Sequence, residues 1–221
     1  MIRFEHVKFS WGARPVLTDV NFHLRAGSFC AVLGRNGAGK STCVRLMSSE
    51  ITPGGGAIFW EDRALSELSP EILSRRRGVL PQQSFLSFPF TVEQVVLLGR
   101  FPYAKDGDPA RDREIAQTCM KKAGLGESFK DRSYLELSAG ERQRVHLARA
   151  LAQVYDNREP CLLLLDEPVS SLDISHQHAV LALARAVAAK GNAVFAVLHD
   201  LNLAAQYADE ILLLHEGRVL A

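Results

Sequence analysis

The chain has 221 residues, 47% hydrophobic and 23% charged, which fits one large domain or a core with a subdomain and argues against disorder. Lys and Arg (26) nearly balance Asp and Glu (25), so a net charge of +1 leaves no electrostatic footprint for nucleic-acid binding. No apolar run approaches the roughly 18 residues that span a bilayer, so action at a membrane requires another subunit to hold the chain there.

Met1–Glu5 runs directly into a strand pattern and does not read as a signal peptide. Ile2 and Phe4, then Val7 and Phe9, alternate with polar residues, and Val20, Phe22 and Leu24 do the same. The apolar run Phe29–Leu33 ends in glycine, Ser41–Ser49 reads as a helix, and Ile58–Trp60 and Gly78–Leu80 read as short strands. Arg75, Arg76 and Arg77 read as cations at a helix C-terminus. From Ser84 to Tyr103 prolines and aromatics cluster, and helical patterns follow at Val92–Leu98, Arg111–Ala123 and Glu141–Gln153, as in a helical insertion. After Pro160 come an apolar strand Cys161–Leu165, a helix Ser175–Ala189, a strand Ala193–Leu198, a helix Leu201–Ala208 and a strand Ile211–Leu214. Continuously apolar strands alternating with helices predict a parallel sheet covered on both faces. The four cysteines, Cys30, Cys43, Cys119 and Cys161, form no C-x-x-C pair and read as reduced thiols.

Gly34-Arg35-Asn36-Gly37-Ala38-Gly39-Lys40-Ser41 fits G-x-x-x-x-G-K-[ST] and lies between an apolar strand and a helix. Glycines let successive backbone N–H groups face one anion, and the helix start adds its positive dipole end. Lys40 is predicted to reach the β- and γ-phosphates and the Ser41 hydroxyl to ligate Mg²⁺, with Thr42 next to it. Leu162–Leu165 delivers Asp166 and Glu167 to the carboxyl end of a buried strand, where ligands of open α/β sheets sit. Asp166 is placed for the metal and Glu167 for the attacking water.

Leu137-Ser138-Ala139-Gly140-Glu141-Arg142-Gln143 resembles the signature motif of the ABC ATPases, usually LSGGQ or LSGGE. Ser138 and Glu141 also form an S-x-x-E capping box, and the two readings are compatible. The departure is Ala139, which stands where the first glycine is usual; Gly140 is retained. The resemblance covers essentially the whole chain. It implies a P-loop NTPase (RecA-like) α/β core, about 1–83 and 156–221, with an N-terminal antiparallel β region and an inserted α-helical subdomain, about 84–155. It implies ATP and Mg²⁺ as ligands and a dimer in which Ser138, Ala139, Gly140 and Glu141 meet the nucleotide of the opposite copy. Within the same resemblance Trp11 matches the aromatic that stacks on adenine, a core or edge aromatic being the alternative. Gln82 matches the glutamine that joins the metal site to the membrane partner, with Gln83 as the neighbouring choice. Ser170-Ser171-Leu172-Asp173 matches the loop that crosses the dimer interface. His199 matches the histidine that contacts the γ-phosphate and positions Glu167, and Asp200 reads as a helix cap.

Arg77–Gln82, Leu86–Val92, Leu98-Gly99-Arg100 and Leu172–Gln177 resemble the haem (hemin) importer ATPases and their siderophore and cobalamin relatives. The Val154–Pro160 segment resembles the haem group too. This implies integral-membrane permease subunits, a periplasmic haem-binding protein as indirect partner, and a peripheral place at the cytoplasmic face of the inner membrane. Siderophore or cobalamin import is the alternative cargo reading. A soluble ABC ATPase is the alternative of another class, but such proteins carry two cassettes or a long coiled coil, absent here. A P-loop GTPase or kinase is disfavoured because no N-K-x-D motif occurs and the signature segment would be unexplained. His176 and His178 stand two apart on a predicted helix, face different ways and read as surface or interface residues. The chain stops at Gly217–Ala221, where relatives usually continue, so a short member and a truncated chain are both open.

Overall fold

A computed structural model describes residues 1–83 and 86–220. The predicted helical insertion from Ser84 therefore begins with two residues outside the described ones. Among the described residues ten strands form one sheet.

The chain opens with a long hairpin, β1 (Ile2–Trp11) and β2 (Arg14–Leu24). β1 pairs antiparallel with β2 and, on its other edge, with β4 (Gly55–Trp60), which pairs with the short β5 (Arg63–Ala64). This is the N-terminal antiparallel region that the family resemblance implied, built from the strands that the alternating Ile2, Phe4 and Val7 pattern predicts. The central layer is parallel: β3 (Phe29–Leu33) lies between β8 (Ala193–Val197) and β9 (Glu210–His215), and β8 leads through β7 (Leu162–Asp166) to β6 (Arg77–Leu80). β10 (Arg218–Val219) closes the seam between β9 and β2.

β3 and β8, and β7 up to Leu165, are apolar and buried at every position because both faces are covered. Phe29, Ala31 and Leu33 of β3 enter one core, and Cys30 and Val32 enter the other. Leu163 and Leu165 of β7 separate from Leu162 and Leu164 in the same way. One core packs α1 (Lys40–Met47) and the antiparallel region against the sheet. The other joins α3 (Val92–Leu97), α4 (Pro109–Lys122) and α5 (Ala139–Val154) to α6 (Ile174–Ala188) and α7 (Leu201–Tyr207). α5 thus touches both the inserted helices and the sheet.

Local chemistry sets the helix ends. Thr91 and Gln94 form a capping box at α3, and Asp108 with Pro109 starts α4. Arg100 anchors the insertion. It is 5% exposed, bonds Asp112 at 2.8 Å and the Ala152 carbonyl at 2.7 Å, and stacks 3.9 Å from the Tyr103 ring centroid.

One expectation needs correction. Ser69 caps a helix α2 (Pro70–Arg76), so Arg75 and Arg76 do lie at a helix C-terminus, but Arg77 opens β6. Burial there pushes the Arg77 guanidinium down to about 10. The two histidines of α6 do face different partners: His176 meets Asp173, and His178 meets the Tyr207 hydroxyl at 2.8 Å. All four cysteines are buried and unpaired. Among the described residues no helix is long and apolar enough to cross a membrane.

Candidate functional site: a nucleotide cleft at the carboxyl ends of the parallel strands

Sheet register decides which residues meet. Val32, Val197 and Asp166 lie side by side on β3, β8 and β7, and Leu80 of β6 pairs with Leu165. The residues just beyond these positions, Gly34, His199, Glu167 and Gln82, are therefore delivered to one edge from four distant stretches of chain.

The loop after β3 wraps back before α1 starts at Lys40. Two glycines are obligatory. A Cβ on Gly34 would lie 2.1 Å from the Leu214 carbonyl oxygen, and one on Gly39, at φ 105°, 2.5 Å from the Leu17 side chain. Lys40 is only 6% exposed, and its Nζ donates to the carbonyls of Gly34 at 2.7 Å and Arg35 at 3.1 Å. Burial lowers the pKa of this ammonium, while Glu167 and Asp166 oppose the shift. The lysine thus curls over its own loop, with its charge held over the hollow.

Asp166, 5% exposed, accepts a 3.1 Å bond from the Ser41 hydroxyl. Burial raises its pKa, and the Ser41 bond opposes that. Hard oxygen donors from two elements therefore converge beside Lys40, a set suited to a small divalent cation. The burial that disfavours the Asp166 carboxylate is what a cation there would offset.

Glu167 follows in the left-handed region at φ 52°, which turns its side chain from the strand towards the loop. Its Oε1 accepts from Gln82 Nε2 at 2.9 Å and lies 2.8 Å from His199 Nε2. Of the adjacent glutamines Gln82 is the one that reaches the carboxylate; Gln83 lines a separate hollow behind it. Asp200 caps α7 as expected, accepting from Asn202 N and Leu203 N.

An open cleft of ≈ 550 Å³ runs from these groups to the β1–β2 hairpin. From the predicted set it brings together Trp11, Asn36, Gly37, Gly39, Lys40, Ser41, Thr42, Gln82 and Glu167. Trp11 is 46% exposed, braced edge-on by Phe9, with the Arg45 guanidinium over its ring at 4.9 Å. Gly34, Arg35 and Ala38 complete the loop without lining the cleft, and Asp166 and His199 sit behind Ser41 and Glu167.

Ser138, Ala139, Gly140, Glu141 and Asp173 are not brought to that cleft. Ser138 and Glu141 close the capping box at α5: the hydroxyl accepts from Glu141 N at 3.3 Å, and the carboxylate accepts from Ser138 N at 2.7 Å. Arg132 pairs with Glu141 at 3.0 Å. Gly140 packs against the loop before α6, where an added Cβ would lie 2.9 Å from the Ser171 carbonyl oxygen. Asp173 caps α6, and the backbone bond from His176, with Ser175 adding to it, holds its pKa well below the ordinary carboxylate range. Three contributors escaped the sequence reading. Arg14 and Val16 line the cleft from the start of β2, and Gln143 of α5 donates to the Glu167 carbonyl at 2.8 Å. No motif marked the first two; Gln143 stands in the signature segment Leu137–Gln143, but its contact with Glu167 is long-range.

The profile of the ABC transporter family matches residues 17–170. The hemin import ATP-binding protein HmuV of Deinococcus radiodurans is 48% identical over 220 residues, covering 100% of this chain and 83% of that protein. The protein of the same name from Pseudomonas entomophila is 47% identical, covering 99% of this chain and 84% of the relative. In three dimensions the dimeric bacterial ABC transporter cassette MJ0796 superposes with a TM-score of 0.87 at 28% identity, over 100% of this chain and 97% of that one. The post-hydrolysis dimer of MJ0796 bound to ADP and Pi gives a TM-score of 0.85 at 28% identity, with the same coverages of 100% and 97%. A phosphate loop, a carboxylate pair at the head of β7 and these likenesses agree: the chain belongs to the ABC transporter family, as one of its ATP-binding cassettes.

Proposed function

We propose that two copies of this chain bind two ATP molecules between them and drive haem (hemin) import through an integral-membrane permease. A periplasmic haem-binding protein would supply the cargo. The observation that carries the mechanism is the convergence of Gln82 and His199 on one oxygen of Glu167, beside the Lys40–Ser41 loop. The haem assignment is supported by the names of relatives that match this chain along its length.

Lys40 would exchange the carbonyls of Gly34 and Arg35 for the β- and γ-phosphate oxygens of ATP, as the P-loop lysine does. Trp11 offers its ring to the base across the cleft. Ser41 and Asp166 would hold Mg²⁺, whose charge, when bound, stabilises the phosphate oxygens. Glu167 takes the proton of the attacking water, while His199 and Gln82 fix its carboxylate. The signature residues Ser138–Gly140 stand clear of the chain's own cleft, which supports their serving the nucleotide of the second copy. Closure would move the helical segment, about 84–155, against the core, about 1–83 and 156–221. Gln82 would pass that movement to the permease at the cytoplasmic face of the membrane.

Glu167→Gln tests the reading. The variant is expected to bind ATP normally, lose nearly all phosphate release and accumulate as an ATP-bound dimer on size-exclusion chromatography. Near-normal hydrolysis would remove Glu167 from its role. For cargo, the complex with its permease in vesicles should take up haem with ATP; uptake of a ferric siderophore or cobalamin instead would replace haem.

A further inference from the structure

The carboxylate of Glu167 has two visible supports, and its backbone has a third. At φ 52° this residue holds a conformation that side chains with a Cβ avoid, so its peptide needs holding. The Glu167 carbonyl accepts from Ser170 N at 3.3 Å and Ser170 Oγ at 3.2 Å, both long and both from its own loop. The short bond comes from outside: Gln143 Nε2 donates to it at 2.8 Å.

Gln143 stands three positions after Gly140 on α5, the helix whose capped start carries the signature residues. Its neighbours look elsewhere, Arg142 to the Leu135 carbonyl and Arg144 to the Gly124 carbonyl. A carbonyl can only accept, so this bond fixes which end of the Gln143 amide faces Glu167. The other end, Oε1, is buried and has no partner among the described residues. It belongs to the wall of a hollow of ≈ 230 Å³ shared with Gln82, Ser170 and His146. One amide therefore sits at the junction of the signature helix, the Gln82 loop and the loop beyond Glu167.

We infer that Gln143 is a positioning residue for hydrolysis. Its N–H pins the left-handed peptide of Glu167 and ties the aim of that carboxylate to the seating of α5. When Ser138–Gly140 engage the nucleotide of the second copy, this bond transmits the position of α5 to Glu167, so that the water is activated only in a properly closed dimer. The inference rests on the reading of Glu167 as the base.

The test uses Gln143→Met, which keeps length and loses the donor, and Gln143→Glu, which keeps shape and polarity but turns an acceptor towards the carbonyl. With the full chain, kcat should fall roughly tenfold for Met and further for Glu, with KM for ATP within about twofold. The same substitutions are then placed on Glu167→Gln. Because Gln143 acts through Glu167, the residual turnover and the ATP-dependent dimer of that variant should not change further. Wild-type kcat in both variants, a loss confined to KM, or an equal fold-loss in both backgrounds would overturn the inference. If Met fails to fold, by circular dichroism, the Glu variant decides alone. Near-normal turnover of Glu167→Gln itself would strike the underlying reading, a separate and recognisable result.

Discussion

His146 gives the sharpest link between this structure and a measurable quantity. It lies on α5, 3% exposed, with Nε2 2.7 Å from the Tyr134 hydroxyl and Nδ1 buried without a partner among the described residues. Burial first, and the Arg149 charge on the same helix second, push its pKa from 6.5 down to about 4. The sign follows directly. A histidine whose folded pKa is depressed stays neutral in the native state while the unfolded chain takes up a proton. Its contribution is constant above the unfolded pKa of 6.5 and turns against folding as pH falls towards about 4. The native state should lose roughly 2 kcal/mol by about pH 5 and roughly 3 kcal/mol below about pH 4 from this one group. The assay is urea unfolding of the wild type and His146→Gln near pH 7.5 and about pH 5. Carboxylates elsewhere act on both proteins and cancel in the difference. The wild type should lose about 2 kcal/mol more than the variant over that interval. Parallel losses would refute the reasoning, because they would mean that the buried imidazole is not held neutral.

The remaining predictions concern the cleft and its frame. Trp11→Ala should weaken ATP binding by roughly 1–3 kcal/mol, and Trp11→Phe by less, in an equilibrium nucleotide titration. His199→Ala should lower phosphate release by roughly 100-fold or more while leaving ATP affinity in place, since it frees Glu167 without touching the phosphate loop. Arg100→Met should cost about 3–5 kcal/mol in urea unfolding, because Asp112, with a side chain 14% exposed, is left without its cation. Gly39→Ala should depress both the unfolding midpoint and ATP affinity. A Cβ at φ 105° adds about 1–2 kcal/mol of backbone strain before the clash with Leu17 is relieved.

Much of this protein is written in local order along the chain. Strand alternation in Ile2–Val7, the apolar runs Phe29–Leu33 and Leu162–Leu165, and the caps at Ser138 and Asp200 are short-range signals, and the elements stand where those signals put them. The phosphate loop is legible for the same reason: glycine at 34 and 39, then Lys40 and Ser41, is a contiguous code for backbone curvature and charge. Helix α2 was legible only at its end, from the cations Arg75 and Arg76, and sheet pairing shows that Arg77 has already left the helix for β6. Tertiary structure alone decided the rest. The contact of Gln82 rather than Gln83 with Glu167, the convergence of His199 and Gln82 on one oxygen, and the hold of Gln143 on the Glu167 carbonyl join residues 24 to 85 positions apart. No periodicity spans such distances. Strand register brings them together, and register is settled by the two apolar faces of β3, β7 and β8 finding their cores at once.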